Sequence, residues 1–334
     1  MRYFLQRLGQ FVIVFFLVTF GVLVLMRLGL DAPGDPARTM LGGSVGEERI
    51  AEVTQRYRLD QNWFVQWYYF VRNLVTGDMG FSVQAGQAVS TVIKGRVMTT
   101  LLLGVYAITL ALLIAVPLAV RSAYKRDGLF DRFGSGLSFV FISVPAIVLA
   151  VLLKFALIEQ HRIDLPAGYN LEVGGWFPRV GDKIYPWQGL FAHIDNFLLP
   201  TLTLALPLAA VFTRLLRADM VQTLQADFVT LASAKGVPPR RVLWQHALRN
   251  SLFSLVTSVG VQLGALIGGA IVAEQFFDLD GMGSLLVTSI LGRDLFVVQA
   301  VAAILVATVV IVNLLIDLLY AVIDPRIRQA RALA

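Results

Sequence analysis

The sequence predicts an all-helical protein that crosses a membrane six times, and three observations carry that prediction. Of 334 residues, 57% are hydrophobic and 15% charged, and the mean hydropathy is +0.72, values a soluble domain does not reach. The apolar residues fall in six runs, at 9–28, 99–120, 133–158, 197–216, 252–272 and 297–322, each long enough for a bilayer. The basic residues flank those runs and divide unequally between the two sides. With both termini on one side, that side carries 15 basic and 5 acidic residues, net +10; the other carries 13 and 16, net −3, with Asp317 left inside the last run. The positive-inside rule then puts both termini and the stretch 227–250 in the cytoplasm. The overall charge of +6 thus reports topology rather than a nucleic-acid partner.

The first run follows Arg2 and Arg7, and its length and lack of a small-residue cleavage site argue against a removed signal peptide. Arg27 near its far end is placed to snorkel and to pair with Asp31 one turn on. Residues 31–98 form a mixed external region, partly helical, with an aromatic cluster (Trp63, Phe64, Trp67, Tyr68, Tyr69, Phe70) suited to the membrane–water interface. The organisation is therefore residues 1–30 as amino terminus and first span, 31–98 external, 99–322 as a five-span core with a cytoplasmic loop at 219–250, and 323–334 as a cytoplasmic tail.

Pro117, Pro145 and Pro207 lie within predicted spans, where each removes a backbone donor and permits a kink; packing or a pathway that opens and closes both suit such kinks. Gly260, Gly264 and Gly268 recur every fourth residue in the fifth span, a small-residue seam along which another helix can approach. Asn313 and Asp317 share a face of the last span, fit for a structural hydrogen bond or ion pair, or for touching substrate.

The polar, basic stretch 227–250, DFVTLASAKGVPPRRVLWQHALRN, reads as two helices broken by one turn. Asp227 is placed to cap the first by accepting from the amides of Val229 or Thr230. Gly236 is placed to end it in the left-handed conformation, and Pro238 and Pro239 prevent continuation. Such a two-turn helix is too short to persist alone in water. Phe228, Leu231 and Ala232 share one face, and Ala232, Ser233 and Ala234 admit a close backbone. The residues alone leave two readings: a plug for a partner's groove, or a helix folded back on its own membrane domain.

Chemistry-bearing motifs are few. Without cysteine there is no disulfide or thiolate site, and His161, His193 and His246 have no ligand spacing. GGSVG at 42–46 matches the nucleophile-elbow pattern, but it lies in a glycine-rich loop with no strand before it, so Ser44 is not expected to be catalytic. No G-x-x-x-x-G-K-[ST] occurs, so any ATP-driven step needs an ATPase on another polypeptide.

Taken in order, APGDP (32–36), DGLFDR (127–132), LLPTLTLALP (198–207), DFVTLASAKG (227–236) with HALRN (246–250), GMG (281–283) and NLLIDLLYAVIDPRIR (313–328) make the chain resemble a known family. These are the permease subunits of bacterial ABC importers, specifically the first permease of dipeptide and oligopeptide systems. The resemblance implies the type I importer permease fold and a coupling helix that docks on a cytoplasmic ATPase. Asp227, Phe228, Ala232, Ala234, Lys235 and Gly236 fall on the coupling motif, and Arg249 and Asn250 close it. The chain departs from the general motif, with Thr230, Leu231 and Ala232 where Glu-Ala-Ala is usual, and with Ser254 and Asp280 where proline is frequent. The implied partners are a second homologous permease, two ATPase domains that hold ATP and magnesium, and an external binding protein that delivers peptide. Nickel chelates, glutathione or oligosaccharides are alternative cargo, and a non-transporting scaffold or receptor is the alternative of another class.

Overall fold

The computed structural model describes residues 2–30, 37, 46–82, 84–158, 161–164, 170–173 and 194–323. Ser44, His193, the segments 32–36 and 324–328, and the side chains of His161 and Asp317 lie outside what is described. Among the described residues, five helical segments are long and apolar enough to cross a membrane, six if one bent pair is a single span. The chain divides into two units.

One unit comprises Met1–Met98 and Asp280–Leu315. It contains α1 (Arg2–Leu30), α2 (Glu47–Tyr57), α3 (Trp63–Thr76), the hairpin β1 (Phe81–Ser82) and β2 (Gln87–Ala88), α4 (Val89–Ile93), α12 (Met282–Leu291) and most of α13 (Leu295–Ile323). Its core gathers Val89, Val92 and Ile93 with Met282, Leu285, Val297 and Val301. Buried Asp294 organises the junction before α13. Its carboxylate accepts from the Ser82 hydroxyl at 2.6 Å, while its own amide donates to the Ser289 carbonyl. Ile50, Leu59 and Leu295 form a second cluster, where Tyr57 packs on Phe296 with ring centroids 4.3 Å apart. Burial there pushes the Tyr57 phenol above its ordinary pKa. Asp280 pairs with Arg96 at 2.7 Å. Arg27 does not snorkel to the surface as expected. It is buried and donates to the Gln66 side chain; Asp31 lies outside the described residues.

The other unit comprises Thr99–Leu279 and Ile316–Ala334. It holds most of α5 (Arg96–Tyr124), α6 (Leu129–Ser143), α7 (Ala146–Leu157), the hairpin β3 (His161–Asp164) and β4 (Asn170–Val173), and α8 (Ile194–Leu224). It then continues through α9 (Asp227–Ala234), α10 (Pro239–Arg241), a π-helical stretch Val242–Ala247 and α11 (Leu248–Phe276). Ala107, Ala111, Ala115 and Ala119 form a ladder along α5, each with no exposed surface. Small side chains at i, i+4 spacing let helix backbones close in where lipid supplies no hydrophobic drive. Phe197, Phe212, Leu216 and Met220 of α8 fill the core beside this ladder.

The prolines behave differently from one another. Pro117 sits inside continuous α5, and Pro200 and Pro207 inside continuous α8. The predicted third span, 133–158, is instead two helices bent by 103°. Val144, immediately before Pro145, takes the extended backbone that a following proline favours, and Pro145 starts the new helix. The expected kink is a break.

The glycine seam meets no neighbour within this chain at Gly264 or Gly268. Gly264 and Gly268 are exposed, and a Cβ on either would meet nothing within 4 Å. Gly269 of α11, by contrast, is closely packed: a Cβ there would come 3.0 Å from Leu204 of α8. Asn313 is exposed on α13.

Candidate coupling surface

The stretch 227–250 folds as the capped helix and turn its residues dictate, with one difference in register. Ala226, in extended backbone, takes the N-cap position. Its carbonyl accepts from the amides of Val229 at 3.0 Å and Thr230 at 3.2 Å. The expected Asp227 side-chain cap is thus corrected. Asp227 is the first helical residue, where its carboxylate still favours the positive end of the helix dipole. At the other end Gly236 has φ +80°. Its amide donates to the Ser233 carbonyl, and the Val237 amide reaches back to the Ala232 carbonyl at 3.2 Å. This pair of bonds is the Schellman closure that a left-handed residue after the helix permits. Pro238 and Pro239 follow, and Pro239 opens α10 at its first position.

Two turns of helix hold their place through one anchor. Val229 is buried, turned toward α8 and the π-helical stretch that α9 packs on, and was not distinguished by the sequence. The opposite face is open: Phe228 is 45% exposed and Leu231 57%, with Ala232 half-buried between them and the anchor. Ala234, Lys235 and Gly236 are exposed at the carboxyl end. Beside this face lies an open groove of about 580 Å³, lined by Phe228, Gln245, His246, Arg249, Asn250 and the start of the apolar run of α11. The structure therefore brings Phe228, Arg249 and Asn250 to one concavity. Gly260, Gly264, Gly268 and Asn313 are not part of it.

The base beneath the helix is cross-braced. The Thr223 and Ser251 hydroxyls lie 3.1 Å apart, joining the end of α8 to the start of α11, and Ser251 also donates to the Ala247 carbonyl. On the same unit, the DGLFDR turn is tied to α8 by a fork of two bonds. The Arg217 Nε donates to one Asp131 oxygen at 2.5 Å and a terminal nitrogen to the other at 2.6 Å. Asp127, in left-handed backbone at φ +62°, adds its amide to the same carboxylate at 2.9 Å. The Arg121 and Arg214 guanidinium groups lie 4.7 Å and 4.5 Å over the rings of Phe130 and Phe139. Bidentate pairing of a nearly buried carboxylate fixes orientation as well as charge. The element on which α9 packs, α8, is thus tied in turn to α6.

One further charged residue escaped the sequence reading. The fifth span was expected to end at residue 272, yet α11 runs to Phe276 and places Glu274 fully buried, accepting from the Thr100 hydroxyl at 2.5 Å. Nearby, Lys154 donates to the Phe276 carbonyl at 2.6 Å. The only sequence signal was a glutamate within one turn of an apolar run, where a longer helix was possible.

The described residues thus combine helices long and apolar enough to cross a membrane with a short, capped, apolar-faced helix set between α8 and α11. Residues 107–329 match the family described as binding-protein-dependent transport system inner membrane component, and residues 1–112 match its N-terminal membrane-component family. The chain belongs to this family and is a permease subunit of a binding-protein-dependent ABC importer, a multi-pass inner-membrane protein. It is similar to the glutathione transport system permease protein GsiC of Salmonella typhimurium strain LT2, with 34% identity over 328 residues, covering 98% of this chain and 99% of the relative. The protein of that name from Escherichia coli strain K12 gives the same identity and coverage. The probable peptide ABC transporter permease y4tP of Sinorhizobium fredii is 32% identical over 326 residues, again 98% and 99% of the two chains.

Proposed function

We propose that this subunit forms, with a second homologous permease, the pathway by which di- and oligopeptides cross the inner membrane, and that α9 is the helix through which two cytoplasmic ATPase domains drive it. The observation that carries the reading is the open Phe228–Leu231 face on a helix whose other side is anchored by Val229. A helix too short for independent stability does not keep two large apolar side chains in water without a partner to receive them. Asp227, Ala232, Ala234, Lys235 and Gly236 frame that face, and Arg249 and Asn250 border the groove beside it. ATP and magnesium belong to the ATPase subunits, since this chain has no phosphate-binding loop. Both termini and α9 lie on the cytoplasmic side, supported by the +10 against −3 charge asymmetry. An external binding protein supplies the cargo.

Two relatives named for glutathione, itself a small peptide, make glutathione the second reading for cargo. Uptake of labelled dipeptides, longer peptides, glutathione, nickel chelates and oligosaccharides, compared in cells with and without this chain, separates these possibilities. Loss of peptide uptake alone supports the first reading. Loss of glutathione uptake alone supports the second, and loss of neither refutes both.

A further inference from the structure

The helix α3 has its polarity turned inside out. Along its outward face run Phe64, Tyr68 and Val75, which are 57%, 58% and 83% exposed, with Trp63 partly open at the edge. Its inward face carries Gln66, only 7% exposed, and Asn73. Gln66 spends its amide fully: Nε2 donates to the Leu59 and Gln61 carbonyls at 3.1 and 2.7 Å, and Oε1 accepts from buried Arg27. Behind the helix is a small cavity of about 60 Å³, lined in part by Gln66, Tyr69, Asn73, Asp78 and Gln299. That is room for about two waters. A helix on an aqueous surface exposes its amides; this one buries the Gln66 amide and leaves its most open face apolar, with Trp67, Phe70 and Leu74 partly buried at the flank.

Its depth follows from what it touches. The Trp67 indole donates to the Thr19 hydroxyl at 2.9 Å and packs edge-on against Phe16, while Phe64 stacks on Phe20 at 4.7 Å. Thr19 lies nine residues inside the end of the apolar run Gly9–Leu28. At 1.5 Å per residue that is about 13 Å down, near the middle of a ~30 Å hydrocarbon core. Thr19, Leu23 and Arg27, one turn apart on α1, are all buried beneath this contact. The other flank of α1 is open apolar surface, with Val12, Ile13 and Leu17 each more than half exposed, as a lipid-facing span requires.

We propose that α3 lies within the membrane, in the leaflet that holds the carboxyl half of α1, with its Phe64–Tyr68–Val75 face against phospholipid acyl chains. That face continues the lipid surface of α1, and the Gln66 amide behind it is fully hydrogen-bonded, as hydrocarbon demands of a buried donor and acceptor. Arg72, exposed one turn beyond Tyr68 beside that face, has a side chain long enough to carry its charge toward the headgroups. The segment between the first two spans is thereby a membrane-embedded collar rather than a wholly aqueous domain.

The absence of cysteine allows a direct test by single spin labels at Tyr68→Cys and Val75→Cys, with Leu17→Cys as the lipid reference and Gln55→Cys on α2 as the aqueous one. The assembled transporter is reconstituted in phospholipid vesicles, and label collisions with oxygen and with a water-soluble nickel chelate are compared. Positions 68 and 75 are expected to match position 17, favouring oxygen severalfold. A match to position 55 overturns the proposal. So does protection from both reagents, which means that protein covers the face. Val75 is the most exposed of the three and has the least packing to lose, so its label decides alone if the Tyr68 variant fails to assemble.

Discussion

Replacing Asp131 by alanine removes the carboxylate that holds the DGLFDR turn to α8. The Asp131 side chain is only 3% exposed and Arg217 26%, so the cut leaves a guanidinium in a site built for an ion pair. Breaking a buried pair from one side costs about 3–5 kcal/mol; the partial exposure of Arg217 lets water recover some of this, which places the expected loss near 3 kcal/mol. The Asp127 amide loses its acceptor as well, so the left-handed turn loosens with the pair. Removing both charges, in Asp131→Ala/Arg217→Met, leaves no orphan and is expected to restore much of the loss. The assay is a double-mutant cycle on denaturant unfolding of the purified subunit in detergent. A coupling energy of about 1.5 kcal/mol or more is expected for groups in one hydrogen-bonded network. Strictly additive single losses, or an Asp131→Ala cost within about 0.5 kcal/mol, would refute the claim that this pair braces the loop.

Further outcomes follow from the same packing. Gly264→Leu meets open space within the chain, so the isolated subunit is expected to keep its stability while assembly with a second permease falls. Gly269→Leu, by contrast, must displace Leu204 and is expected to destabilise the subunit itself by about 1–3 kcal/mol; thermal unfolding and recovery of the complex tell the two apart. Glu274→Gln keeps an acceptor for Thr100 and is expected to fold, whereas Glu274→Ala leaves a hydroxyl and a void in a fully buried site and is expected to lower folded yield sharply. Single cysteines at Ser233 and Gln55 are expected to differ in labelling by an impermeant reagent applied to intact cells; preferential external labelling of position 233 contradicts the orientation.

The spans were legible because a run of about twenty apolar residues has few alternatives in any solvent. The turn after α9 was legible for a local reason: Gly236, Pro238 and Pro239 restrict the backbone whatever surrounds them. The start of α9 was misread by one residue, since capping by the Ala226 carbonyl leaves no side-chain signature. Proline alone did not distinguish Pro145, which breaks a span, from Pro117 and Pro207, which do not; the difference lies in what surrounds each bend. Periodicity marked small residues on α11 but not which face turns toward the chain's own helices, so the alanine ladder of α5 went unnoticed while the glycines were expected to pack. The Asp131–Arg217 fork joins residues 86 apart, and nothing in either neighbourhood announces the other.

The central claim is that α9 transmits force, and Gly236→Val tests it most directly. A Cβ at Gly236 meets no atom within 4 Å, so the lesion is one of backbone conformation alone. Holding a β-branched residue at φ +80° costs at least about 1–2 kcal/mol, enough to misaim the helix without touching a span. Asparagine tolerates the left-handed region and is expected to restore function. The measurement is peptide uptake together with binding-protein-stimulated ATP hydrolysis in vesicles, for wild type, Gly236→Val and Gly236→Asn, with complex recovery as the control. The account predicts that all three assemble, that the valine variant loses about tenfold or more in both activities, as a 1.4 kcal/mol loss implies, and that the asparagine variant does not. Wild-type uptake and stimulation with valine at position 236 would contradict it.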